Sequence, residues 1–380
     1  MRLAHQRRPE ITAAKARWAA AAERPKIVAA LPDPMVMVSA DMVPIPLVGV
    51  DGSITVQQEF PLSGVLGNRR RGAEAEAQRW GADARRVALD VELEALQAFY
   101  MLAERRGQQP ILDEQIALVG QLVIVARAHL AAGQGMEADV LRLDNERARL
   151  VAQRDALVAE IRSAEAMLDT SLARWPGESV PQLAWGDDPG EPMPLEELMR
   201  EALARRPELE GALAEKKRAA ADIDAMRSMY APMALVRVGP AYSMLEGPGV
   251  MAMVGVSIPL WRERLGAGVA EARAMETMAT ADEDAMRRMI AGSVASAREA
   301  VVAQRTRWVA LSREIVPRAR VVVQSATGSF GAGQGPMVAV LDAARDLREV
   351  RTDEVMARAR LGDAWAKLQR TIGELDASAR

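Results

Sequence analysis

Cysteine is absent from this chain of 380 residues, which excludes disulfide bonds, thiolate metal sites and lipidated cysteines. Histidine is almost absent: His5 and His129 are the two present, and they lie far apart in the sequence. No zinc-protease motif, nucleophile elbow or phosphate loop occurs. The sequence therefore offers no catalytic, cofactor-binding or metal-ligating residues, and we expect a protein that is not an enzyme and has no cofactor.

A basic excess is also missing, because 49 Lys and Arg residues face 52 Asp and Glu residues, a net charge of −3. This balance excludes nucleic acid as a partner, since no surplus of cations is available to neutralise phosphates. No segment reaches the roughly 18 consecutive apolar residues of a transmembrane helix. Membrane-spanning β-strands need only about 10 alternating residues each, so that possibility stays open.

The chain does contain an internal repeat. Arg7-Arg8-Pro9 recurs as Arg205-Arg206-Pro207 at an offset of 198 (207 minus 9), and Gly133-Gln134-Gly135 recurs as Gly333-Gln334-Gly335 at an offset of 200 (333 minus 133). Between the copies, Pro, Gly and Asp are frequent. We therefore predict a first repeat at 1–174, a linker at 175–194 and a second repeat at 195–380.

Each repeat is predicted to contain a helix, two strands and a long helical hairpin. The strands are placed at about 35–43, 52–60, 233–243 and 250–258. The hairpins are placed at about 64–172 and 262–376. The second strand shows the clearest alternation, with one face formed by Ile54, Val56, Gln58 and Phe60 and the other by Ser53, Thr55, Gln57 and Glu59.

Apolar residues in the hairpins recur with the alternating spacing of four and three that is typical of coiled coils. In the first repeat this seam comprises Leu112, Ile116, Val119, Val123, Ala126 and Leu130 before the turn, and Leu143, Leu150 and Leu157 after it. About 65 helical residues at ~1.5 Å each would form a rod of ~100 Å, which needs neighbours to bury its surface. Gly107–Pro110 and Pro317 interrupt the pattern, so we expect kinks or breaks there.

Four short strands are too few to close a β-barrel, whereas three chains would supply twelve. A trimer with a strand barrel at one end and a helical tube along its length would satisfy the backbone within a lipid bilayer. A soluble helical rod with a small sheet as a cap is the alternative. Periodicity alone does not decide between the two.

Several short motifs, taken in order, resemble those of the outer membrane efflux protein family, the TolC-like proteins. In the first repeat they are Ala30-Leu31-Pro32-Asp33-Pro34, Phe60-Pro61-Leu62-Ser63-Gly64 and Ala132-Gly133-Gln134-Gly135. In the second repeat they are Val256-Ser257-Ile258-Pro259-Leu260, Ile315-Val316-Pro317 and Phe330-Gly331-Ala332-Gly333. The resemblance spans nearly the whole chain, and its specificity lies in the order, spacing and duplication of the motifs.

The resemblance implies a fold that is mainly α with a small β part, as a homotrimer with a shared β-barrel in the outer membrane and an α-helical barrel in the periplasm. It implies a passive export channel for small solutes, which contacts outer-membrane lipid and works with a periplasmic adaptor (membrane fusion) protein and an inner-membrane efflux pump. Leu31–Pro34 and Phe60–Gly64 look most like the heavy-metal cation branch, which suggests metal cations as cargo.

Two points qualify this assignment. Met1–Pro9 contains no apolar core of a signal peptide, so we expect this start to lie inside the mature chain, or the export signal to have been left out. The alternative function is that of a soluble or periplasmic coiled-coil structural or adaptor protein. An adaptor should have one helical hairpin, whereas this sequence predicts two.

The resemblance also identifies candidate functional residues. The two Gly-Gln-Gly segments would form the periplasmic tip that the adaptor grips, although turn chemistry alone would explain their glycines. Asp342 matches one acid of the family's pore constriction, while Ala339 stands where the family commonly carries an aspartate. Asp139 follows the first turn. Aspartates near helix starts are usually solvated charges, but three of them around one axis would select cations.

Methionine is abundant, and several of the 21 residues lie in or near predicted strands: Met35, Met37, Met42, Met233, Met244, Met251 and Met253. Thioethers suit soft ions such as Cu(I). Methionine also simply fills apolar positions, and we expect this second role here.

Overall fold

The computed structural model describes residues 7–42, 51–178, 185 and 188–374. The first half contains α1 (Pro9–Ala29), β1 (Met35–Met42), β2 (Asp51–Pro61), α2 (Val65–Ala131) and α3 (Glu137–Ser171). The second half contains α4 (Leu195–Arg205), α5 (Pro207–Ser228), β3 (Met233–Ser243), β4 (Gly247–Ser257), α6 (Arg262–Ala310), a π-helical segment (Leu311–Ile315), α7 (Val316–Gly331) and α8 (Met337–Ile372). Among these helices, none combines the length and apolar content needed to cross a membrane.

Each half shows the predicted order of helix, two strands and long helical hairpin, so the predicted fold class, mainly α with a small β part, is confirmed. The strands expected at about 35–43 and 52–60 correspond to β1 and β2, and those expected at about 233–243 and 250–258 correspond to β3 and β4. Residues 43 and 375–376, as well as His5, lie outside the described residues. The boundaries of the repeats at 174 and 195 stay a prediction.

The strands form one antiparallel sheet in the order β1-β2-β3-β4, so β2 and β3 join the two halves at its centre. The register places Val36 opposite Val56, Val56 opposite Val238, and Val238 opposite Ala252. Gly239 permits the close approach of β2 and β3, because a Cβ there would lie 2.7 Å from the Thr55 Cα. The edges of the sheet are β1 and β4.

The chain forms two compact units, each built from segments of both halves. One unit, which we call the hairpin unit, contains Met1–Ile11, Val87–Arg206 and Met289–Arg380. The other, which we call the sheet unit, contains Thr12–Arg86 and Pro207–Arg288.

In the hairpin unit, buried apolar side chains from both halves form a shared cluster. Its members are Val119, Leu122, Val123, Ala126, Val140, Leu143, Leu150, Phe330, Met337, Val340 and Leu341. The predicted seam of α3 is confirmed, since Leu143, Leu150 and Leu157 are all buried. The halves of the chain are therefore held together by a common core at this place.

The predicted seam of α2 is confirmed except at its last residue: Val119, Val123 and Ala126 are buried in the shared cluster, and Leu112 and Ile116 pack against it. Ile111 and Gln115 are buried there, whereas the predicted Leu112 and Ile116 are only partly buried. Leu130, the last predicted seam residue, is exposed.

In the sheet unit the helices pack largely through alanine. The buried alanines include Ala73, Ala75, Ala82, Ala214, Ala219, Ala221, Ala225, Ala272 and Ala279. Short side chains let helix backbones approach closely, and charged pairs then cross between helices at the surface. Lys216 lies 2.9 Å from Glu283, and Arg85 lies 2.5 Å from Glu210.

The repeated Arg-Pro pair has a structural explanation. Pro9 and Pro207 begin α1 and α5, and proline suits the first turn of a helix because its missing N–H has no acceptor there. Arg8 is buried and donates hydrogen bonds to the Glu94 carboxylate at 2.6 Å and to the Thr170 carbonyl at 3.2 Å. Its counterpart Arg206 donates to Ser293 Oγ at 2.9 Å. In each half, the arginine thus ties the start of a helix to the hairpin that follows.

At Gly107–Pro110 the helix does not break, because α2 continues through Pro110, while the alternative expectation of a kink stays a prediction. A proline inside a helix costs about 3 kcal/mol. Pro110 is exposed, whereas Leu102 and Ile111 on either side are buried, and burying such side chains contributes about 1.5–3 kcal/mol each. The free energy contributed by burying these side chains therefore offsets the cost of the proline, and the helix continues through it.

Near Pro317 the structure shows a change of helix type. The π-helical segment ends directly before Val316, and the N–H of Val316 donates to the carbonyl of Leu311, five residues back. A proline ring clashes with the carbonyl four residues before it in an α-helix, and the wider turn moves that carbonyl away. The expected irregularity at this proline is thus present as a π-helical turn.

Substitution of Gly362 tests the close contact between α8 and α2. A Cβ at this position would overlap the ring of Tyr100, whereas a Cβ at Gly292, also inside a helix, would meet nothing within 4 Å. We expect Gly362→Ala to lower the free energy of unfolding by about 1–3 kcal/mol through overpacking. Gly292→Ala should leave it unchanged or raise it by up to ~1 kcal/mol through helix propensity. Guanidinium chloride unfolding followed by circular dichroism measures both, and an equal loss in the two variants would contradict the expectation.

Candidate functional site

The first hairpin turn begins with a helix C-cap that requires glycine. Gly133 has a φ of 73°, in the left-handed region. The N–H of Gln134 donates to the carbonyl of His129 at 2.9 Å, and the N–H of Gly133 donates to the carbonyl of Leu130 at 3.0 Å. This pair of bonds is the Schellman motif, in which glycine avoids the steric cost of a positive φ.

The second turn repeats this geometry. Gly333 has a φ of 74°. Gln334 donates to the carbonyl of Ser329 at 2.9 Å, and Gly333 donates to that of Phe330 at 3.0 Å. The same hydrogen-bonded motif, with a glycine in the left-handed region, therefore ends α2 and α7.

The second glycine of each motif is required by close packing. A Cβ at Gly135 would lie 2.9 Å from the backbone nitrogen of Leu130, and a Cβ at Gly335 would lie 3.1 Å from the Ser329 Cβ. All four glycines are thus explained by the turns themselves. Gln134 and Gln334 are exposed, and they are the residues of the motif whose side chains the turn does not need.

The structure brings the ends of the two hairpins together. The ring of His129 lies 5.4 Å from that of Phe330, and the shared apolar cluster includes residues from α2, α3, α7 and α8. The two Gly-Gln-Gly turns therefore belong to one end of the hairpin unit, which we call the tip.

The predicted aspartates lie on the two helices that leave the tip. Asp139 is in the first turn of α3, with its carboxylate 3.7 Å from Arg142. Asp342 is in α8, and its exposed carboxylate lies 3.7 Å from Arg345. Both aspartates thus have a guanidinium within one helical turn.

A closer ion pair at the tip was not predicted from the sequence. Glu146 of α3 is buried, and Arg345 donates two hydrogen bonds to its carboxylate, at 2.6 Å and 3.2 Å. The Arg345 guanidinium holds the pKa of Glu146 below its ordinary value. Arg345 thus contacts Asp342 within its own helix and Glu146 in the other hairpin.

One signal could have identified Glu146. Buried residues of α3 follow the seam, and Glu146 lies on this seam between Leu143 and Leu150. A charged residue at a seam position is costly unless a partner satisfies it. The identity of the partner, 199 residues away, has no local signal in the sequence.

The polar face of the sheet is a second candidate region. Ser53, Thr55 and Gln57 of β2 are buried on this face. Arg237 donates to Gln57 Oε1 at 2.6 Å and 3.1 Å, and the hydroxyls of Ser39 and Ser53 lie 2.8 Å apart. Polar side chains therefore satisfy one another on the buried side of the sheet.

The opposite face is apolar and exposed. Its exposed residues include Val36, Val38, Ile54, Val56, Val236, Val238, Val250, Val254 and Val256. Val254, for example, keeps 76% of its surface accessible. A sheet of a water-soluble protein shows the reverse distribution, with apolar residues on its buried face.

Glutamine in place of Glu146 tests the ion pair at the tip. Since the pKa of Glu146 is lower in the folded protein than its ordinary value of 4.5, the pair stabilises the fold fully above that value, and the contribution is lost as pH falls through the lower folded pKa. We expect Glu146→Gln to lower the free energy of unfolding at neutral pH by about 1 kcal/mol, because Arg345 is partly exposed and solvent screens the pair. At a pH below the folded pKa of Glu146 the variant and the wild type should converge.

Denaturant unfolding across this pH range checks the expectation. The control is Glu349→Gln, since Glu349 is exposed on α8, the helix that carries Arg345, and we expect changes within about 0.5 kcal/mol at every pH. A difference between Glu146→Gln and wild type that stays constant down to low pH would show that the charge of Glu146 is not responsible.

Comparison with known proteins provides evidence that is independent of this geometry. The sequence model of the outer membrane efflux protein family matches residues 198–374. The chain matches no curated protein sequence.

Solved structures match over nearly the whole chain. The outer membrane protein VceC from Vibrio cholerae is 16% identical, with a TM-score of 0.82 and coverage of 98% of this chain and 95% of VceC. CusC, described for its transmembrane channel formation, is 15% identical, with a TM-score of 0.84 and coverage of 98% and 91%. The outer-membrane channel OprN is 20% identical, with a TM-score of 0.83 and coverage of 98% and 89%.

The family match falls on the second half of the chain, and the structural similarity extends the same fold over the first half. Residues 198–374 thus match the outer membrane efflux protein family, and the fold of the chain is that of the TolC-like channels.

Proposed function

We propose that this chain is one subunit of a homotrimeric channel in the outer membrane, through which small solutes are exported. The observation that carries the proposal is the reversed polarity of the sheet. An exposed face of valine and isoleucine is costly in water at roughly 25 cal/mol per Å² of apolar surface, but it is the expected outer face of a barrel in lipid.

The edges of the sheet support a trimer. β1 and β4 each pair with one neighbour within the sheet, so their outer backbone groups need partners. Lipid offers no such partners, which is why sheets cross membranes only as closed barrels. Three copies of this four-stranded sheet give twelve strands, and β4 of each copy would then pair with β1 of the next.

The helical part would lie in the periplasm, with the tip directed at the partners of the channel. The exposed Gln134 and Gln334 flank glycines that the turns require, so these two amides are free to bind a periplasmic adaptor protein. An inner-membrane efflux pump would complete the pathway. A non-enzymatic role agrees with the family, whose name describes export.

Metal cations are the proposed cargo class. The support is the similarity of Leu31–Pro34 and Phe60–Gly64 to the heavy-metal branch, together with the exposed Asp342 near the tip. In a trimer, three Asp342 carboxylates around one axis would repel each other and attract cations.

A soluble coiled-coil or adaptor protein is the alternative to be tested. It would account for the helices, but it would leave the valine face of the sheet in water. An adaptor would also need only one of the two hairpins observed.

Arginine at Val254 distinguishes the membrane channel from the soluble alternative. In a barrel, Val254 faces lipid, where arginine costs about 2–4 kcal/mol near the bilayer midplane. We expect the wild type to fold into liposomes as a trimer, as measured by native mass spectrometry after detergent extraction. Val254→Arg should sharply lower the yield of that trimer.

The matched control is Val321→Arg, because Val321 is also an exposed valine but lies on α7. We expect its trimer yield to equal that of the wild type. A wild-type protein that stays monomeric, or equal yields for Val254→Arg and Val321→Arg, would count against the channel.

Asparagine at Asp342 tests the proposed constriction. Removing the carboxylates lowers the negative potential on the axis, so we expect lower cation selectivity and weaker block by multivalent cations. Because Ala339 offers no second carboxylate one turn earlier, the change should be large for a single residue. Reversal potentials in a salt gradient across planar bilayers measure the effect.

Asp139→Asn is the control on the other hairpin, and we expect it to change selectivity less. Unchanged reversal potentials in Asp342→Asn would show that this carboxylate does not face the pore.

A further inference from the structure

Arg237 carries the positive charge of the sheet. Across β1, β2, β3 and β4, as the structure describes them, there is no other arginine and no lysine or histidine. Arg237 lies opposite Gln57 of β2 and opposite Met253 of β4. Because residues opposite each other on paired strands share a face, Arg237 is on the polar face with Gln57.

The partner of this guanidinium is neutral. The Nε and Nη2 atoms of Arg237 both donate to Gln57 Oε1, at 3.1 Å and 2.6 Å. Among the described residues, no carboxylate forms an ion pair with Arg237. An amide oxygen satisfies the N–H groups, but it carries no net charge to cancel that of the guanidinium.

Two carboxylates are described on the same face, and neither is the partner of Arg237. Asp51 is six residues from Gln57 along β2, a distance of ~20 Å, and its Oδ1 accepts the backbone N–H of Met244 at 2.7 Å. Glu59 lies opposite Leu235 and is thus a diagonal neighbour of Arg237, at ~7–8 Å between backbone positions. The positive charge therefore lies between two levels of negative charge along the strands.

The surroundings of Arg237 leave part of its guanidinium open. The next residue on the same face of β3 is Gly239, which has no side chain to cover it. Arg237 itself is half-buried, and its Nη1 has no hydrogen-bond partner among the described residues. The side of the guanidinium that does not contact Gln57 is therefore available to an anion.

Threefold symmetry would place the three copies of Arg237 at one level. In the proposed channel the apolar face contacts lipid, so the polar face lines the interior of the barrel. Rotation about the axis of a trimer moves each Arg237 onto the next without changing its height along the axis. A level of three positive charges therefore follows from the symmetry alone, whatever the stagger between strands of neighbouring copies.

We propose that Arg237 is a selectivity residue of the barrel, by which the part of the pore inside the sheet favours anions and anionic groups of solutes over cations. Rings of arginine or lysine select anions in pores, as rings of aspartate or glutamate select cations. This inference rests on the proposed trimeric channel and goes beyond it, since Asp342 and Arg237 would act on passing ions in opposite directions.

The test uses the full chain, reconstituted as a trimer in planar bilayers, and measures the K⁺/Cl⁻ permeability ratio from reversal potentials in a KCl gradient. We expect Arg237→Gln to raise this ratio about threefold or more near 10 mM salt, because a change of about 1 kT in the local potential shifts cation and anion concentrations in opposite directions. Near 1 M salt, where the Debye length is only ~3 Å, the difference from the wild type should be small.

Two further variants separate the charge of Arg237 from its contact with Gln57. Arg237→Lys keeps the charge, and its permeability ratio should stay close to that of the wild type. Glu59→Gln removes a negative charge from the same face, so it should lower the ratio at low salt. A purely structural role for Arg237 would give the lysine and glutamine variants the same ratio.

A cysteine at position 237 allows the charge to be replaced chemically, because the chain contains no other cysteine. A methanethiosulfonate reagent with a trimethylammonium group attaches a positive charge to Arg237→Cys and should restore the ratio of the wild type. The sulfonate analogue attaches a negative charge and should raise the ratio further. The matched control is Val238→Cys, on the adjacent but opposite face, where neither water-soluble reagent should change the ratio.

The outcomes separate this inference from the proposed function. A conducting trimer whose ratio is the same in the wild type, Arg237→Gln and Arg237→Cys, before and after reaction, overturns the role of Arg237 alone. Equal responses of Arg237→Cys and Val238→Cys would overturn its position in the interior.

One variant keeps the test decisive if substitutions at position 237 do not assemble. Gln57→Glu leaves Arg237 in place and supplies the carboxylate that its guanidinium lacks, so we expect it to raise the ratio as Arg237→Gln does. An unchanged ratio in Gln57→Glu would then overturn the inference. A wild-type chain that forms no trimer and carries no current overturns both proposals.

Discussion

The backbone of the two edge strands, together with the reversed polarity of the sheet, sets the constraint on which the rest of this protein depends. Buried backbone groups must form hydrogen bonds, and among the described residues of the sheet β1 and β4 each pair with one strand only, so their outer groups need further partners. The polar face already satisfies itself through Gln57, Arg237, Ser39 and Ser53. The apolar face and the two edge strands still need partners. In the proposed trimer, lipid covers the apolar face and the neighbouring copies pair with the edge strands.

Duplication of the helical hairpin provides a second hairpin against which the apolar seam is buried. A single long hairpin exposes most of its apolar seam, whereas the cluster at the tip takes buried residues from both hairpins. The two copies reuse the same local devices, namely proline at a helix start and the Schellman turn at Gly133 and Gly333. They differ where function is expected, since Asp139 of the first copy has Ala339 as its counterpart at the offset of 200.

Local chemistry made much of this fold predictable from sequence. Alternation around Ile54, proline exits and glycine pairs act over a few residues, so strands and turns could be located without the structure. Interactions between residues that are far apart in the sequence could not be predicted in this way. The continuation of α2 through Pro110 depends on packing on both sides, and the pairing of Glu146 with Arg345 joins helices that the sequence does not place side by side.

The ion pair at the tip also changes how the candidate constriction should be understood. Arg345 is closer to Glu146, at 2.6 Å, than to Asp342, at 3.7 Å. Electrostatic attraction falls with distance, and a buried carboxylate is less screened by solvent than an exposed one. Glu146 therefore takes most of the positive charge of Arg345, so that the charge of Asp342 is only partly compensated. Asp342 can then act on passing cations while Arg345 holds the two hairpins together, and the charge of the tip and its packing are linked through one guanidinium.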